Sequence, residues 1–385
     1  MVEAMSASSL RTASPVSDAV LHSLSPSNAA AIQRLRATAS SPSDVFDRLS
    51  HKAQAAVAIF LYEQPYSSGA PLDWFPPNSR PNLGAPPSSS GGGSSDGDEE
   101  RVLHVVMTTR ALHLRSHPGQ ASLPGGKREQ SDSSIEHTAL RESTEEVNMS
   151  GWKSVRKEVH WLHTAPPLLS KTCLLVHPVV FFLSNPSKTL STLRANPSEV
   201  SALWSVPLPL FLASSQTHCL LPQGYTLSDP AKVDTHRPPQ DALRTYSDVP
   251  WLLGSPYRLH RFRSSQQLVK GLTADILIGV ASGAYGMAPR FEVRAPGQMG
   301  WDRMVEVVLA RLKEGRRGES RWGDGESGDA QGSTEAFDTI VGVDLRAEGE
   351  EEEVILDQDQ DQQKGGNAEA LAASLQSNGE VQPSA

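Results

Sequence analysis

Arg141, Glu142, Glu145 and Glu146 stand within one short run, Thr138-Ala139-Leu140-Arg141-Glu142-Ser143-Thr144-Glu145-Glu146-Val147. On a helix each residue advances about 100°. Glu142, Glu145 and Glu146 then occupy positions i, i+3 and i+4 and share one face. Three carboxylates on one face repel one another unless positive charge lies between them. A hard divalent cation with oxygen ligands, Mg²⁺ or Mn²⁺, answers that need. The competing reading is a solvated acidic face, the usual fate of clustered glutamates. A glycine turn, Leu123-Pro124-Gly125-Gly126-Lys127, places Gly126 fifteen positions ahead of Arg141 and shifts the balance away from that reading.

The elements that must hold these groups can be read around them. Ala139, Leu140, Ser143 and Val147 supply small or apolar positions for packing the carboxylate helix. The glycine turn, Arg141-Glu142 and Glu145-Glu146 together resemble the Nudix box, the metal-binding loop–helix–loop of Nudix hydrolases. Gly126 matches its glycine. Two positions depart from the pattern: Ser133 replaces a glutamate, and Asn148 replaces a glycine after the helix. Asn is the next-best residue for a left-handed C-cap, so the second change is mild.

A second resemblance lies upstream. Arg110, Leu114-Arg115, His117, Gly119 and Pro124-Gly125-Gly126 are similar to the motif of the Nudix branch that hydrolyses coenzyme A. The same branch has Asp at the place of Asp132, Thr-Ala-Leu before the Arg-Glu pair, and no glutamate at the place of Ser133. The chain thus looks like the peroxisomal and mitochondrial type of coenzyme A pyrophosphatase, in a fungal-like form with insertions. This implies metal held by Glu142, Glu145 and Glu146, with Arg141 bracing them from behind. It implies a substrate face of Arg110, Arg115, His117, Gly125, Gly126 and Lys127. Arginine suits phosphate oxygens because its planar fork donates in pairs. For His117 a hydrogen bond that stabilises the loop is an alternative to substrate contact. Asn196-x-x-Glu199-Val200, followed by an apolar-Pro-Leu turn, also resembles the branch and makes Glu199 a candidate fourth acid. The alternative for Glu199 is a charge at a helix N-terminus beside the macrodipole.

Strands are expected at 55–62, 102–108, 158–164, 173–183 and 256–262, the first two pairing as a hairpin with a very long tip. Pro178 inside the fourth suggests an edge or a bulge. Helical spacing is read over 29–37, 268–285 and 301–312. The expected fold class is α/β, a Nudix-type α/β/α sandwich. It has a mixed β-sheet, the box helix on one side and the 268–285 helix on the other, with disordered extensions.

Of 385 residues, 38% are hydrophobic and 21% charged, with 28 Pro and 29 Gly. That is apolar-poor for a compact chain of this length, and a core of about 200 residues with disordered additions fits better. The expected organisation is an extension over 1–42, a domain over 43–312 with insertions at about 64–100 and 222–248, and an acidic tail over 313–385. The extension is Ser- and Ala-rich with Arg11, Arg34 and Arg36; a mitochondrial presequence is one reading, against which Glu3 and Asp18 count. A strand-like island at 340–345 interrupts the tail. A net charge of −9 excludes general attraction to nucleic acid or anionic membranes. No apolar run approaches the length of a membrane span. Cys173 and Cys219 form no disulfide framework or metal spacing, which fits a reducing interior. The chain ends without a peroxisomal Ser-Lys-Leu signal; an intracellular place, whether mitochondrial, peroxisomal or cytoplasmic, is expected.

The resemblance implies hydrolysis of coenzyme A or acyl-CoA to 3′,5′-ADP and (acyl-)4′-phosphopantetheine. ADP-ribose, NADH or a nucleoside triphosphate are alternative substrates, since the box does not separate them. A binding module without turnover is the alternative of a different class. Its usual signature is loss of the glutamates, and all three are present.

Overall fold

The computed structural model of the chain describes residues 16–38, 51–65, 101–149, 156–215, 227 and 242–319. The first expected insertion from residue 66 onward, Cys219, the 340–345 island and the tail beyond 319 lie outside the described residues.

The frame is one mixed sheet. Strand β1 (Gln54–Pro65) lies beside β2 (Arg101–Arg110), antiparallel, and on its other edge beside β7 (Leu175–Leu183), parallel. β7 pairs onward with β5 (Val159–Thr164) and with the two-residue β6 (Leu168–Leu169), and β8 (Val200–Pro207) pairs with the far edge of β2. β1 and β2 pair only from Leu61↔Val105 to Pro65↔Arg101, and then they part. Two short strands fill the gap: β3 (Ala121–Ser122) on β2, and β4 (Gly125–Lys127) on β1. The glycine turn is therefore built into the sheet, pinned by Ala58 N–H donating to the Pro124 carbonyl at 2.8 Å.

Alternation along β1 builds two cores. Ala56, Ala58, Phe60 and Tyr62 face Ile135, Ala139, Leu140 and Val147 of helix α3 (Ile135–Val147), two helices preceding it in the chain. Ala55, Ile59 and Leu61 face the opposite way, with Trp204 and Phe211, toward Ala274, Ile276, Leu277 and Ala281 of α5 (Gly271–Tyr285), which follows the short α4 (Pro186–Leu190). The two long helices thus cover opposite faces, as expected of the sandwich. A separate three-stranded sheet of β9 (Arg244–Pro250), β10 (Pro256–Phe262) and β11 (Val269–Lys270) leads into α5. The last helix, α6 (Trp301–Glu319), packs Met304, Val305 and Val308 against Leu169, Cys173 and Leu252. Among the described residues no helix is long and apolar enough to cross a membrane.

Five expectations are corrected. Residues 16–38 are not a disordered extension: α1 (Asp18–His22) and α2 (Pro26–Ala37) pack on the domain, with Ala31, Ile32 and Leu35 in the α5 core. The helix that the sequence suggests over 29–37 begins earlier, at Pro26, because proline fits the first turn. The second insertion ends sooner than 248, since Arg244–Pro250 is a strand fully paired with β10. Polar residues are held there by specific partners: the Arg244 guanidinium lies 4.0 Å from the Phe291 ring centre and donates to His260 Nδ1 at 3.1 Å. Pro178 is on neither an edge strand nor a bulge of its own, because β7 is interior. Its carbonyl accepts from Ala165 N–H on the side where β5 has ended and β6 has not begun, so the missing N–H points into that break in the ladder. Finally, the last helix runs past 312 to Glu319.

Leu35 is 1% exposed and sits against the α5 glycine Gly283. Leu35→Ala is expected to cost about 3 kcal/mol, the usual loss for a buried leucine, and to lower the melting temperature by several degrees. An unchanged melt would return residues 16–38 to the status of an appendage.

Candidate active site

The site begins with how α3 is held. Ser134 caps its N-terminus, accepting from His137 N–H at 3.1 Å, and Asn148 closes it in the left-handed conformation at φ 53°. That is the C-cap role expected of asparagine after the glutamates. One side of the helix is core, so the 141–146 segment presents its charged groups to the glycine strand β4.

Gly126 lies directly beneath a carboxylate. A Cβ built there would stand 2.5 Å from Glu142 Oε2 and 2.6 Å from its Cδ. Gly125 is as confined on its other side, where a Cβ would meet the Ala56 carbonyl at 2.3 Å, and its N–H donates to Glu146 Oε2 at 3.1 Å. The glycines thus let the carboxylates rest on backbone.

Arg141 ties the layer behind them. Its Nε and Nη2 donate to the two oxygens of Asp132 at 2.9 and 3.0 Å, a bidentate pair. Nη2 also donates to the Lys127 carbonyl at 2.9 Å and to Glu142 Oε1 at 3.0 Å, and Nη1 donates to Glu145 Oε2 at 3.0 Å. Asp132 is a residue whose weight was missed: the motif names its position, but its burial is a tertiary fact. Burial pushes its carboxyl up, but bonds from Arg141, the Glu129 N–H and Thr138 outweigh that and hold it below its ordinary 3.8.

The outer carboxylates behave oppositely. Burial raises Glu142 to about 7; Arg141 opposes the rise, and Glu145 and Glu199 add to it. Burial raises Glu146 to about 8; the Gly125 N–H and Arg110 oppose the rise, and Glu142 and Glu199 reinforce it. The structure therefore gathers Glu142, Glu146 and Glu199 into one electrostatic neighbourhood, with Arg110 beside it. Glu145 is half-exposed and turned onto Arg141 instead. Among the described residues no three acidic, histidine or cysteine groups already stand together as metal ligands. The donor set still fits a hard cation: it is all carboxylate, partly buried, and charged only at a cost that added positive charge would remove.

The remaining candidates come from the loop after β2. Its register with β8 shifts between Thr109 and Arg110. Such an irregularity re-aims a side chain at a strand end. Arg110 Nε donates to the Ser116 carbonyl at 3.1 Å and so folds the loop onto itself. Arg115 and His117 are exposed, and His117 adopts φ 53°. Although its side chain reaches solvent, His117 is held below its ordinary 6.5 first by partial desolvation from the surrounding loop, then by the charge of Arg110, against a bond with Gln120, and by Lys270 and Lys171. Lys171 and Lys270 are thus further positive groups around this loop that sequence spacing does not reveal, since they arrive from the β6–β7 turn and from β11. The Lys127 side chain is exposed, and its carbonyl is the part engaged. Glu199 is not at a helix N-terminus, which removes that alternative: it ends a turn just before β8.

A model of the NUDIX domain family matches residues 95–214. Nudix hydrolase 15, mitochondrial, of Arabidopsis thaliana is 31% identical over 198 residues, covering 50% of this chain and 57% of that protein. The uncharacterized Nudix hydrolase NudL of Photorhabdus laumondii is 33% identical over 173 residues, covering 45% of this chain and 73% of that protein. Nudix hydrolase 22, chloroplastic, of Arabidopsis thaliana is 31% identical over 198 residues, covering 50% of this chain and 54% of that protein. These matches agree with the carboxylate helix, the glycine strand and the sandwich, and the chain belongs to the Nudix hydrolase family. Its matches span little more than half the length of the two plant relatives.

Asp132→Asn breaks the bidentate pair and leaves Arg141 short of charge in a confined place. A loss of about 3 kcal/mol is expected at neutral pH. The sign follows from the depressed Asp132 value: its stabilisation is present above 3.8 and is lost as pH falls through the lower folded value. Melts of wild type and variant should therefore converge in acid, and a gap that persists unchanged at pH 2 would contradict the assignment.

Proposed function

We propose that the chain hydrolyses the pyrophosphate bond of coenzyme A and acyl-CoA, giving 3′,5′-ADP and (acyl-)4′-phosphopantetheine, with Mg²⁺ or Mn²⁺ held by Glu142, Glu146 and Glu199 and with Glu145, paired to Arg141, bordering them. The observation that carries hydrolysis is the Glu142–Glu146–Glu199 neighbourhood laid over the bare backbone of Gly125 and Gly126, with Arg110 alongside. The support for coenzyme A is the resemblance of Arg110, Leu114-Arg115, His117 and Gly119 to that branch.

When bound, the divalent ion supplies charge neutralisation at the pyrophosphate and a more acidic water. The protein's own groups do the rest. A glutamate of the cluster accepts the proton that water loses as its oxygen attacks phosphorus, and the bridging P–O bond breaks to leave two phosphate monoesters. Arg141 does not reach substrate; it fixes Glu142 and Glu145 through the bonds given above. Arg110 and Arg115 donate to the phosphates. His117, whose charged form is disfavoured by local desolvation and then by the charge of Arg110, contributes a hydrogen bond. ADP-ribose, NADH or a nucleoside triphosphate as substrate is the second reading, favoured by the same cluster if the 110–119 loop does not engage the substrate.

The test is steady-state kinetics on coenzyme A, ADP-ribose, NADH and ATP with Mg²⁺ and with Mn²⁺. Coenzyme A should have the highest kcat/KM. Glu146→Gln should lower kcat roughly a hundredfold or more with little change in melting, because removing one crowded carboxylate also relieves repulsion. Arg115→Ala should raise KM for coenzyme A more than for ADP-ribose. Near-normal turnover by Glu146→Gln would remove the metal assignment, and an Arg115→Ala defect equal for both substrates would remove the case for coenzyme A. A chain that binds the metal and coenzyme A but turns over none of the panel would be a binding module.

A further inference from the structure

Glu199 reaches the site from a turn, and that turn is fastened to the box helix by the backbone N–H groups of Arg194 and Asn196 and by the Asn196 side chain. The backbone N–H of Asn196 donates to the Glu146 carbonyl at 2.8 Å, and its Nδ2 donates to the Glu145 carbonyl at 3.1 Å. Both acceptors belong to the last turn of α3, whose carbonyls have no partner within the helix. The other end of the same amide organises the turn: Oδ1 accepts from Ser198 N–H at 3.2 Å and from Ser198 Oγ at 2.7 Å. The Asn196 carbonyl then accepts from Glu199 N–H at 3.0 Å and Val200 N–H at 2.8 Å. Beyond it the Glu199 carbonyl accepts from Ala111 N–H at 2.9 Å, next to Arg110. Asn196 therefore spans the gap between the helix that carries Glu142 and Glu146 and the residue that must meet them.

We infer that Asn196 is the positioning residue for Glu199, holding that carboxylate in register with Glu142 and Glu146 by clamping its turn to the end of the box helix. This rests on the reading that the glutamates and Glu199 act together on a divalent ion. Asn196 itself touches neither substrate nor ion. The clamp needs both halves of the amide: the NH₂ for the helix carbonyl and the oxygen for the turn. Aspartate supplies only the oxygen, and it would set a carboxylate against the Glu145 carbonyl. The electrostatics agree with the geometry, since Glu199 acts on both Glu142 and Glu146.

The experiment is a double-mutant cycle on the full chain with Asn196→Ala, Asn196→Asp and Glu199→Gln. Two readouts are taken: Mn²⁺ binding by calorimetry, and turnover of coenzyme A with Mg²⁺. Asn196→Ala should weaken Mn²⁺ binding and lower kcat by up to roughly tenfold, the scale of one lost hydrogen bond to a working group, with KM nearly constant. Asn196→Asp, which keeps the turn, should fall similarly. In the Glu199→Gln background Asn196→Ala should add less than about twofold, because the group it positions is already gone. Additive effects on both readouts, an Asn196→Asp variant equal to wild type, or a Glu199→Gln variant with normal Mn²⁺ binding and turnover would each overturn the inference. A wild-type chain that binds Mn²⁺ yet cleaves nothing would fail the hydrolase reading alone, and the Mn²⁺ cycle would still decide the role of Asn196.

Discussion

One guanidinium set among several carboxylates governs the site. Arg141 bonds Asp132 with two donors and shares the rest among Glu142, Glu145 and the Lys127 carbonyl. A single positive charge cannot neutralise that many negative ones, so burial together with its distribution sets which acids are favoured in the charged form. The buried Asp132 takes the bidentate share and is pulled down; Glu142, raised first by burial and opposed by a single bond from Arg141, stands near 7. Glu146 receives only a backbone N–H and rises further, to about 8. The arginine thus stabilises the layer that supports the helix and leaves the outer layer short of positive charge. That deficit is why the donor set suits a cation, and it exists before any ligand arrives.

A second constraint is steric. β1 and β2 hold together for only one end of their length and admit 121–127 between them. Backbone inserted into a sheet has its polar groups satisfied by the flanking strands, so the turn is rigid without side chains of its own. Rigidity without side chains is what the Glu142 carboxylate requires, because any Cβ on Gly126 would occupy its position. The parting of two strands, the glycine pair and the seat of the carboxylate are one structural fact seen at three scales.

Much of this was legible from residue types. The carboxylate face and the Asn148 cap depend on local geometry, which a sequence displays; Gly126 was marked only by its resemblance to the Nudix box, and its place beneath Glu142 is a tertiary contact. The long strands were legible too, since Ala55–Tyr62 and Val102–Thr108 are apolar runs with clear ends. What escaped depends on partners far away in the chain. Ile32 and Leu35 sit in a Ser- and Ala-rich stretch that looks unable to fold alone, and indeed it needs α5 to bury them. Arg244–Pro250 looks like loop because its arginine and aspartate are polar; it is a strand because Arg244 stacks on Phe291 and Asp248 pairs with Arg258 at 2.7 Å. Pro178 misled because a proline argues against an interior strand, and only the break between β5 and β6 makes room for it.

The placement of Glu199 shows the same division more sharply. Its identity as an acid was visible, but its address was not, because nothing between Val147 and Asn196 marks how the chain returns. The return is set by backbone chemistry at the end of a helix. Arg194 and Asn196 donate their N–H groups to the carbonyls of Val147 and Glu146 at 3.0 and 2.8 Å. A helix must find partners for its last carbonyls, and here those partners belong to the loop that carries the fourth acid. Terminating the helix and delivering Glu199 are therefore one event. An insertion in the loop that left these two donors on α3 would leave the carboxylate in place, whereas a change that moved the end of the helix by one residue would rotate the donors away by about 100° and carry Glu199 with them.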